Sequence, residues 1–338
     1  MRILLISFIL SSGIVFGQDI PTLVPADPFD PNGDALRLFD AIEGFGTDED
    51  KIVSVLCYRT ASQREVITST YNSQHGSLEN DLKFELGGSF QTLSIMLTHS
   101  MAKFLSIELH ETMSGLGTDE RALTEIVMSR TNQELADVRS FYVNCELWAF
   151  ASLRHREEHM LRLSKANYSN GRGTTGMRDE SNLVNMTLVQ EDVVALYEAG
   201  PAIFGADENV YVNIFSLRSY VHLNEVGILF ELTYGMSLAT VVTTEFNGDI
   251  GYALYSISEY SRDKAMYFSR RFHEALLYET VAGTSDRNMM RLTVSRCETD
   301  LGNIKNIYRS MYGVTLHYSV SEATSGSYRT ALLALIGT

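Results

Sequence analysis

Two carboxylates and a recurring glycine turn carry most of the chemistry legible in this chain. Gly44-Phe45-Gly46-Thr47-Asp48-Glu49 returns as Gly115-Leu116-Gly117-Thr118-Asp119-Glu120. Weaker echoes follow at Phe204-Gly205-Ala206-Asp207-Glu208 and Ala282-Gly283-Thr284-Ser285-Asp286. A Gly-x-Gly turn exposes backbone carbonyls, because no side chain shields them. Carbonyls are hard oxygen ligands and suit Ca²⁺, which accepts about six to eight oxygens in loose geometry. They bring no charge, so a carboxylate must come from elsewhere. Glu85 stands 39 residues after Gly46 and opens a second turn, Glu85-Leu86-Gly87-Gly88. Glu245 stands 40 residues after Gly205 and opens Glu245-Phe246-Asn247-Gly248. Few protein ligands and one acid predict weak affinity, with positions left for water or a lipid phosphate.

The elements that position these residues form an internal repeat. Counting from Gly46, Gly117, Gly205 and Gly283, Arg59, Arg130, Arg218 and Arg296 stand 13 residues later. At 25 residues come Tyr71, Tyr142, Phe230 and Tyr308, and at 30 come Gly76, Leu147, Gly235 and Gly313. Four copies of one unit follow. In the first copy Ala35, Leu36, Phe39 and Ile42 recur at helical spacing, and Gly44 and Gly46 stop that helix. Thr47 is the expected cap of the next, with Asp48, Glu49 and Asp50 in its first turn, where the helix dipole favours negative charge. Further helices are expected over about 62–71, 78–85 and from Phe90 onward, with no strand-like alternation. The fold class is therefore all-α, four repeats of about five helices each. The offset arginines are expected to satisfy carbonyls at helix ends, and the offset aromatics to lie in or near the core.

The expected order along the chain is a signal peptide over 1–17, a strap over 18–34, and repeats over 35–104, 105–164, 191–263 and 264–338. Residues 165–190 are expected to be a polar linker. Met1-Arg2 followed by a short apolar run to Phe16 has the form of a secretory leader, and is too short for a span of about 20 residues. The linker holds two glycosylation sequons, Asn167-Tyr168-Ser169 and Asn185-Met186-Thr187, in agreement with secretion. Repeat 2 loses register after Tyr142. Three cysteines, Cys57, Cys145 and Cys297, do not make a disulfide framework and are expected as buried thiols. Without Arg2, 26 basic residues face 42 acidic ones. Such a chain repels nucleic acid, and repels anionic lipid unless a cation bridges the like charges.

On the paired loops, the placed Glu85, the offset arginines and the long linker between repeats 2 and 3, the chain resembles the annexin family. The leader departs from most of that family and is similar to secreted annexins of some parasites. The resemblance implies a curved helical disc whose convex face binds Ca²⁺ and docks on phosphatidylserine-rich membrane. It implies a first site from the carbonyls of Ile42, Gly44 and Gly46 with Glu85. A third site would use Gly200, Ile203 and Gly205 with Glu245. In repeat 2 the loop is intact at Met113, Gly115 and Gly117, but the acid position falls near Ser152, with Glu157 and Glu158 out of register. In repeat 4 Val281 replaces the first loop glycine, and Ala323 stands at the acid position with Glu322 one residue off. Repeat 3 has Ala206 in place of Thr and carries Pro201 in its loop.

The leading expectation is a non-enzymatic, secreted, Ca²⁺-dependent binder of anionic phospholipid. The alternative is a secreted scaffold for a protein partner, with calcium secondary, motivated by the missing acids and the altered repeat 2. A third reading rests on His155-Arg156-Glu157-Glu158-His159, which matches a zinc-peptidase pattern. No third ligand is marked near it, and the expected role is a charged, solvated helix face. No nucleophile elbow, phosphate loop or Cys–His signature is present.

Overall fold

The structure, a computed structural model, describes residues 18–44, 46–114, 118–144, 177–277 and 284–338. Among them are 18 helices and no strands. Repeat 1 contains α1 (Pro31–Ile42), α2 (Glu49–Leu56), α3 (Ala61–Gln74), α4 (Leu78–Glu85) and α5 (Gly88–Thr98). Repeat 2 contains α6 (Met101–Thr112), α7 (Glu120–Met128) and α8 (Asn132–Asn144). Repeat 3 contains α9 (Met186–Glu198), α10 (Glu208–Leu217), α11 (Tyr220–Tyr234), α12 (Leu238–Glu245) and α13 (Gly248–Arg262). Repeat 4 contains α14 (Lys264–Leu277), α15 (Thr284–Arg296), α16 (Leu301–Tyr312), α17 (Leu316–Ala323) and α18 (Gly326–Ile336). The expected leader over 1–17, Cys145, the His155–His159 motif and the Asn167 sequon lie outside the described residues.

Three first helices begin ahead of the expected boundaries 35, 105 and 191, at Pro31, Met101 and Met186. The polar residue before each explains the shift. Asp30 accepts from the backbone N–H of Asn32 and Gly33 with Pro31 at the first helical position, Ser100 accepts from Lys103, and Asn185 accepts from Thr187 and Leu188. These caps satisfy N–H groups that the helix leaves without partners, and proline tolerates the first position because its missing N–H is one of them. Apolar periodicity reports only where a helix begins to bury, so it misses a solvated first turn.

The glycines 30 residues into repeats 3 and 4 end the third helix of each. Gly235 and Gly313 cap α11 and α16 in the left-handed conformation, with φ of 75° and 73°. A side chain there would meet its own carbonyl, so glycine stops these helices at low cost. A stacked ring pair then ties the first helix of the repeat to the end of the third. It is Phe39 on His75 at 4.0 Å, Tyr197 on Tyr234 at 3.8 Å and His273 on Tyr312 at 3.8 Å.

Among the described residues, two apolar clusters form the core. One runs through repeats 1, 2 and 4, and the other fills repeat 3, with Ile257 packed against both. Tyr71, Phe230 and Tyr308 are buried in them as expected. The offset arginines do something different from the expectation. Arg59 holds Asp34 through two bonds of 2.6 and 2.9 Å, and Arg218 holds Asp192 through two bonds of the same lengths. Arg296 grips Asp300 at 2.7 and 2.5 Å, and Arg130 lies 3.6 Å from Glu134. Among the described residues, one of them, Arg59, also donates to a backbone carbonyl, that of its neighbour Tyr58 just past the end of α2. A guanidinium meets a carboxylate through two parallel N–H groups, which a lone carbonyl cannot match.

Repeats 2 and 4 meet through buried charge. Glu125 of α7 accepts from Arg271 of α14 and Arg291 of α15, each at 3.1 Å, and Glu108 of α6 accepts from Arg287 at 2.8 Å. Repeats 1 and 4 meet reciprocally. Ser89 at the start of α5 donates to Asp286 at the start of α15, and Ser327 at the start of α18 donates to Glu49 at the start of α2. These contacts bring the first turns of α5 and α15, and of α18 and α2, against one another.

Cys57 and Cys297 are buried free thiols, and burial pushes both up to about 12. The thiolate is the reactive form. A charged thiol reagent should therefore leave both unlabelled in the native protein and modify both after unfolding, as read by peptide mass mapping. Rapid labelling of either in the native state would contradict this packing.

Candidate functional site

Loop 1 joins α1 to α2. The Glu43 N–H closes α1 on the Phe39 carbonyl at 2.8 Å, and the Asp48 N–H reaches back to the Ala41 carbonyl at 2.9 Å. The same Asp48 turns its side chain onto the N–H of Lys51 and caps α2. The expected cap, Thr47, is displaced by one residue. Its hydroxyl instead donates to Glu85 Oε2 at 3.3 Å. Asp and Thr are both good caps, and the loop-closing bond on the Asp48 backbone decides between them.

Between the two closing bonds, Gly44 has φ of +119° and Gly46 of +88°. A Cβ at either would meet no neighbour, so backbone conformation alone demands glycine there. Among the described residues, no donor reaches the carbonyls of Ile42, Gly44 or Gly46. Glu85 is the last residue of α4 and half-buried. The Thr47 hydroxyl thus ties the one acid to the carbonyl loop, across 38 residues of chain.

Loop 3 repeats this plan with one residue more. The Asp207 N–H closes on the Ala199 carbonyl at 2.7 Å, and Asp207 caps α10. The extra residue folds into a tight turn at Pro201, in which the Ile203 N–H donates to the Gly200 carbonyl at 3.0 Å. That carbonyl keeps its second lone pair. Gly205 has φ of +83°. Gly200 is required for a different reason, since a Cβ there would stand 2.3 Å from the Tyr211 hydroxyl, which donates to the Leu196 carbonyl. Glu245 ends α12, half-buried like Glu85. Burial, with the Glu245 carboxylate adding to it, holds the Tyr211 phenol well above its usual range. Acid and loop are therefore neighbours in repeat 3 as well.

In repeat 2 the Asp119 N–H closes on the Thr112 carbonyl at 2.8 Å, and Asp119 caps α7. Met113 is buried at the end of α6, while Gly115, Gly117 and the acid region around Ser152 lie outside the described residues. In repeat 4 the comparison is direct. The helices α4, α12 and α17 have equal length, and their last residues are Glu85, Glu245 and Ala323. Glu322 is exposed one residue earlier, so repeat 4 has no acid at that position. Among the described residues, no three His, Cys, Asp or Glu side chains cluster to hold a metal. A cation site here must draw on carbonyls. Phe84 and Phe204, beside Glu85 and in loop 3, project into solvent.

Among the described residues no single helix is long and apolar enough to cross a membrane. The pair α11 and α12 reaches that length only with an 83° bend between them, and Leu223, Val226, Phe230, Val241 and Val242 of that pair are buried in the core.

Fold and loops define an all-helical repeat protein that gathers carbonyl-rich turns and helix-ending acids. The annexin family model matches residues 33–97, 104–144 and 272–335. The chain is 34% identical to annexin B10 of Drosophila melanogaster over 332 residues, covering 95% of this chain and 98% of that protein. It is 34% identical to annexin A8 of Oryctolagus cuniculus, covering 95% and 96% of the two chains. Against human annexin A11 it is 33% identical over 94% of its own length but spans 61% of that protein. Among solved structures it is similar to annexin III with a TM-score of 0.85 at 30% identity, covering 95% of this chain and 98% of that one. It is also similar to calcium-bound annexin (Sm)1, with a TM-score of 0.81 at 27% identity, covering 95% and 93%. The chain belongs to the annexin family. The match to the second repeat stops at 144, close to the loss of register after Tyr142. Repeat 3 lies outside the matched segments, yet carries the full five-helix plan.

Proposed function

We propose that this protein is a secreted, non-enzymatic annexin that binds anionic phospholipid membranes when calcium is present. Calcium is held in repeat 1 by the carbonyls of Ile42, Gly44 and Gly46 and the carboxylate of Glu85. In repeat 3 it is held by Gly200, Ile203, Gly205 and Glu245. Repeat 2 offers Met113, Gly115 and Gly117 without a matched acid, and repeat 4 contributes no charged ligand at Ala323. The observation that carries the reading is the Thr47–Glu85 bond, which ties one acid to a loop whose Ile42, Gly44 and Gly46 carbonyls accept from no donor among the described residues. One carboxylate leaves the ion with unspent charge and open positions, which lipid phosphate and carboxylate oxygens fill. The bound ion thus joins a chain of net charge −15 to a surface of the same sign. Phe84, next to Glu85, and Phe204, in loop 3, are exposed and present apolar rings to the membrane.

The test is sedimentation of residues 18–338 with phosphatidylserine-containing vesicles. Pelleting is expected with calcium and release with chelator. No calcium-dependent pelleting would sink the reading, and capture of one defined protein in chelator would favour the scaffold alternative.

A further inference from the structure

We propose that Asn185 carries an N-linked glycan, projecting from the face opposite the candidate calcium loop of repeat 3. The inference rests on the secretion reading given above. Asn185-Met186-Thr187 satisfies the acceptor pattern, with no proline between. Asn185 and Thr187 are both exposed. The carboxamide of Asn185 is used on one side only. Its Oδ1 accepts from the N–H of Thr187 at 3.0 Å and of Leu188 at 3.3 Å, capping α9. Among the described residues its Nδ2 has no hydrogen-bond partner. A glycan attaches through that nitrogen and leaves the oxygen an acceptor, so the modified residue still caps the helix.

The transfer forms a bond from Asn185 Nδ2 to the anomeric carbon of a sugar. The sugar's bond to the diphosphate of a lipid-linked oligosaccharide breaks, and the lipid diphosphate leaves as the nitrogen loses one proton. The acceptor must meet that donor in the secretory pathway.

The position of the site follows from the two helices that flank loop 3. α9 runs 13 residues from Asn185 to the loop, roughly 20 Å at 1.5 Å per residue. α10 runs away from the loop and ends at Leu217. The segment before Asn185 is fastened to that far end: the Asp179 N–H donates to the Leu217 carbonyl at 2.9 Å, and Arg178 donates to the carbonyls of Phe215 and Arg218. A glycan on Asn185 therefore emerges at the ends of α9 and α10 that point away from Gly200, Ile203, Gly205 and Glu245. It adds bulk there without blocking the loop.

The experiment expresses the full chain with its own leader in a eukaryotic secretory cell. Released protein is then treated with an amidase that cleaves Asn-linked glycans in heavy-oxygen water, and residue 185 is mapped by mass. The expected result is conversion of Asn185 to labelled Asp. Thr187→Ala, which keeps the capping side chain, should abolish the label at 185 and leave calcium-dependent vesicle pelleting unchanged. Secreted protein that is unmodified at Asn185 would overturn the proposal, as would loss of pelleting in the wild-type glycoprotein restored by Thr187→Ala. If the chain stays inside the cell, the secretion reading fails. The same chain is then placed behind a cleaved leader of another protein, where label at 185 supports the acceptor site and its absence overturns it.

Discussion

Replacing Glu85 and Glu245 together by glutamine will abolish calcium-dependent pelleting on phosphatidylserine vesicles, and Glu85→Gln alone will remove most of it. In each proposed site the carbonyls supply oxygens without charge, and the acid is the only anionic protein ligand. Glutamine keeps the volume and one oxygen but loses the Coulombic attraction to a divalent ion, which acts over a short distance in a partly buried setting. Losing an outer-shell partner of a metal commonly costs roughly ten- to a hundredfold in affinity. A direct charged ligand in a site with so few should cost at least that, read as the calcium concentration for half-maximal pelleting. Repeat 3 should contribute less than repeat 1, because the Gly200 carbonyl is already shared with the Ile203 N–H. Folding should be unaffected. Both acids are half-buried, and a glutamine oxygen still accepts from the Thr47 hydroxyl. Wild-type pelleting by the double variant, at the same calcium concentration, would place the membrane site elsewhere.

Glu125→Leu will be the most destabilising single change at the join between repeats 2 and 4. Glu125 is buried, and so are both partners, Arg271 and Arg291. Leucine leaves two guanidinium groups without their shared carboxylate inside the protein. Breaking a buried ion pair from one side costs about 3–5 kcal/mol. Urea titration should show that loss with little change in slope. A shift under about 1 kcal/mol would mean that water already reaches the arginines and screens them.

Acid should reveal the same interaction. Burial pushes the Glu125 carboxyl up, but Arg291 and Arg271 outweigh it and hold it below the usual carboxylate range. Its stabilisation is present above the unfolded-state value of about 4.3 and is lost as pH falls through the lower folded value. The gap between wild type and Glu125→Leu should therefore shrink on acidification below about pH 4. Glu108, in the same interface, has the opposite sign. Burial exceeds the pull of Arg287 and Arg291 and raises its carboxyl. Its charge therefore costs stability above the raised value, and Glu108→Gln should be tolerated better than Glu125→Leu.

The sequence by itself determined the repeat, the helical class and the positions of the candidate loops. Those features depend on contacts within a few residues or on periodic spacing, both of which survive in a linear string. Leu78–Glu85 could be bounded in advance, because Ser77 caps it and a glycine turn follows. The helix-ending place of Glu85 and Glu245, and its emptiness at Ala323, followed from counting alone.

The tertiary structure decided which side chains meet. Thr47 looked like a cap until the Asp48 backbone bond to Ala41 assigned that task to the next residue and freed Thr47 for Glu85. Arg59 and Arg218 looked like carbonyl caps, because Asp34 and Asp192 lie on the first helix of each repeat, 25 and 26 residues away. Glu125 carried no signal at all. Its partners stand 146 and 166 residues further along the chain, and on a helix an isolated glutamate reads as solvated surface. A buried charge is stable only beside a partner brought in by the packing of whole repeats. That pairing has no periodicity, so it appears only once the fold is complete.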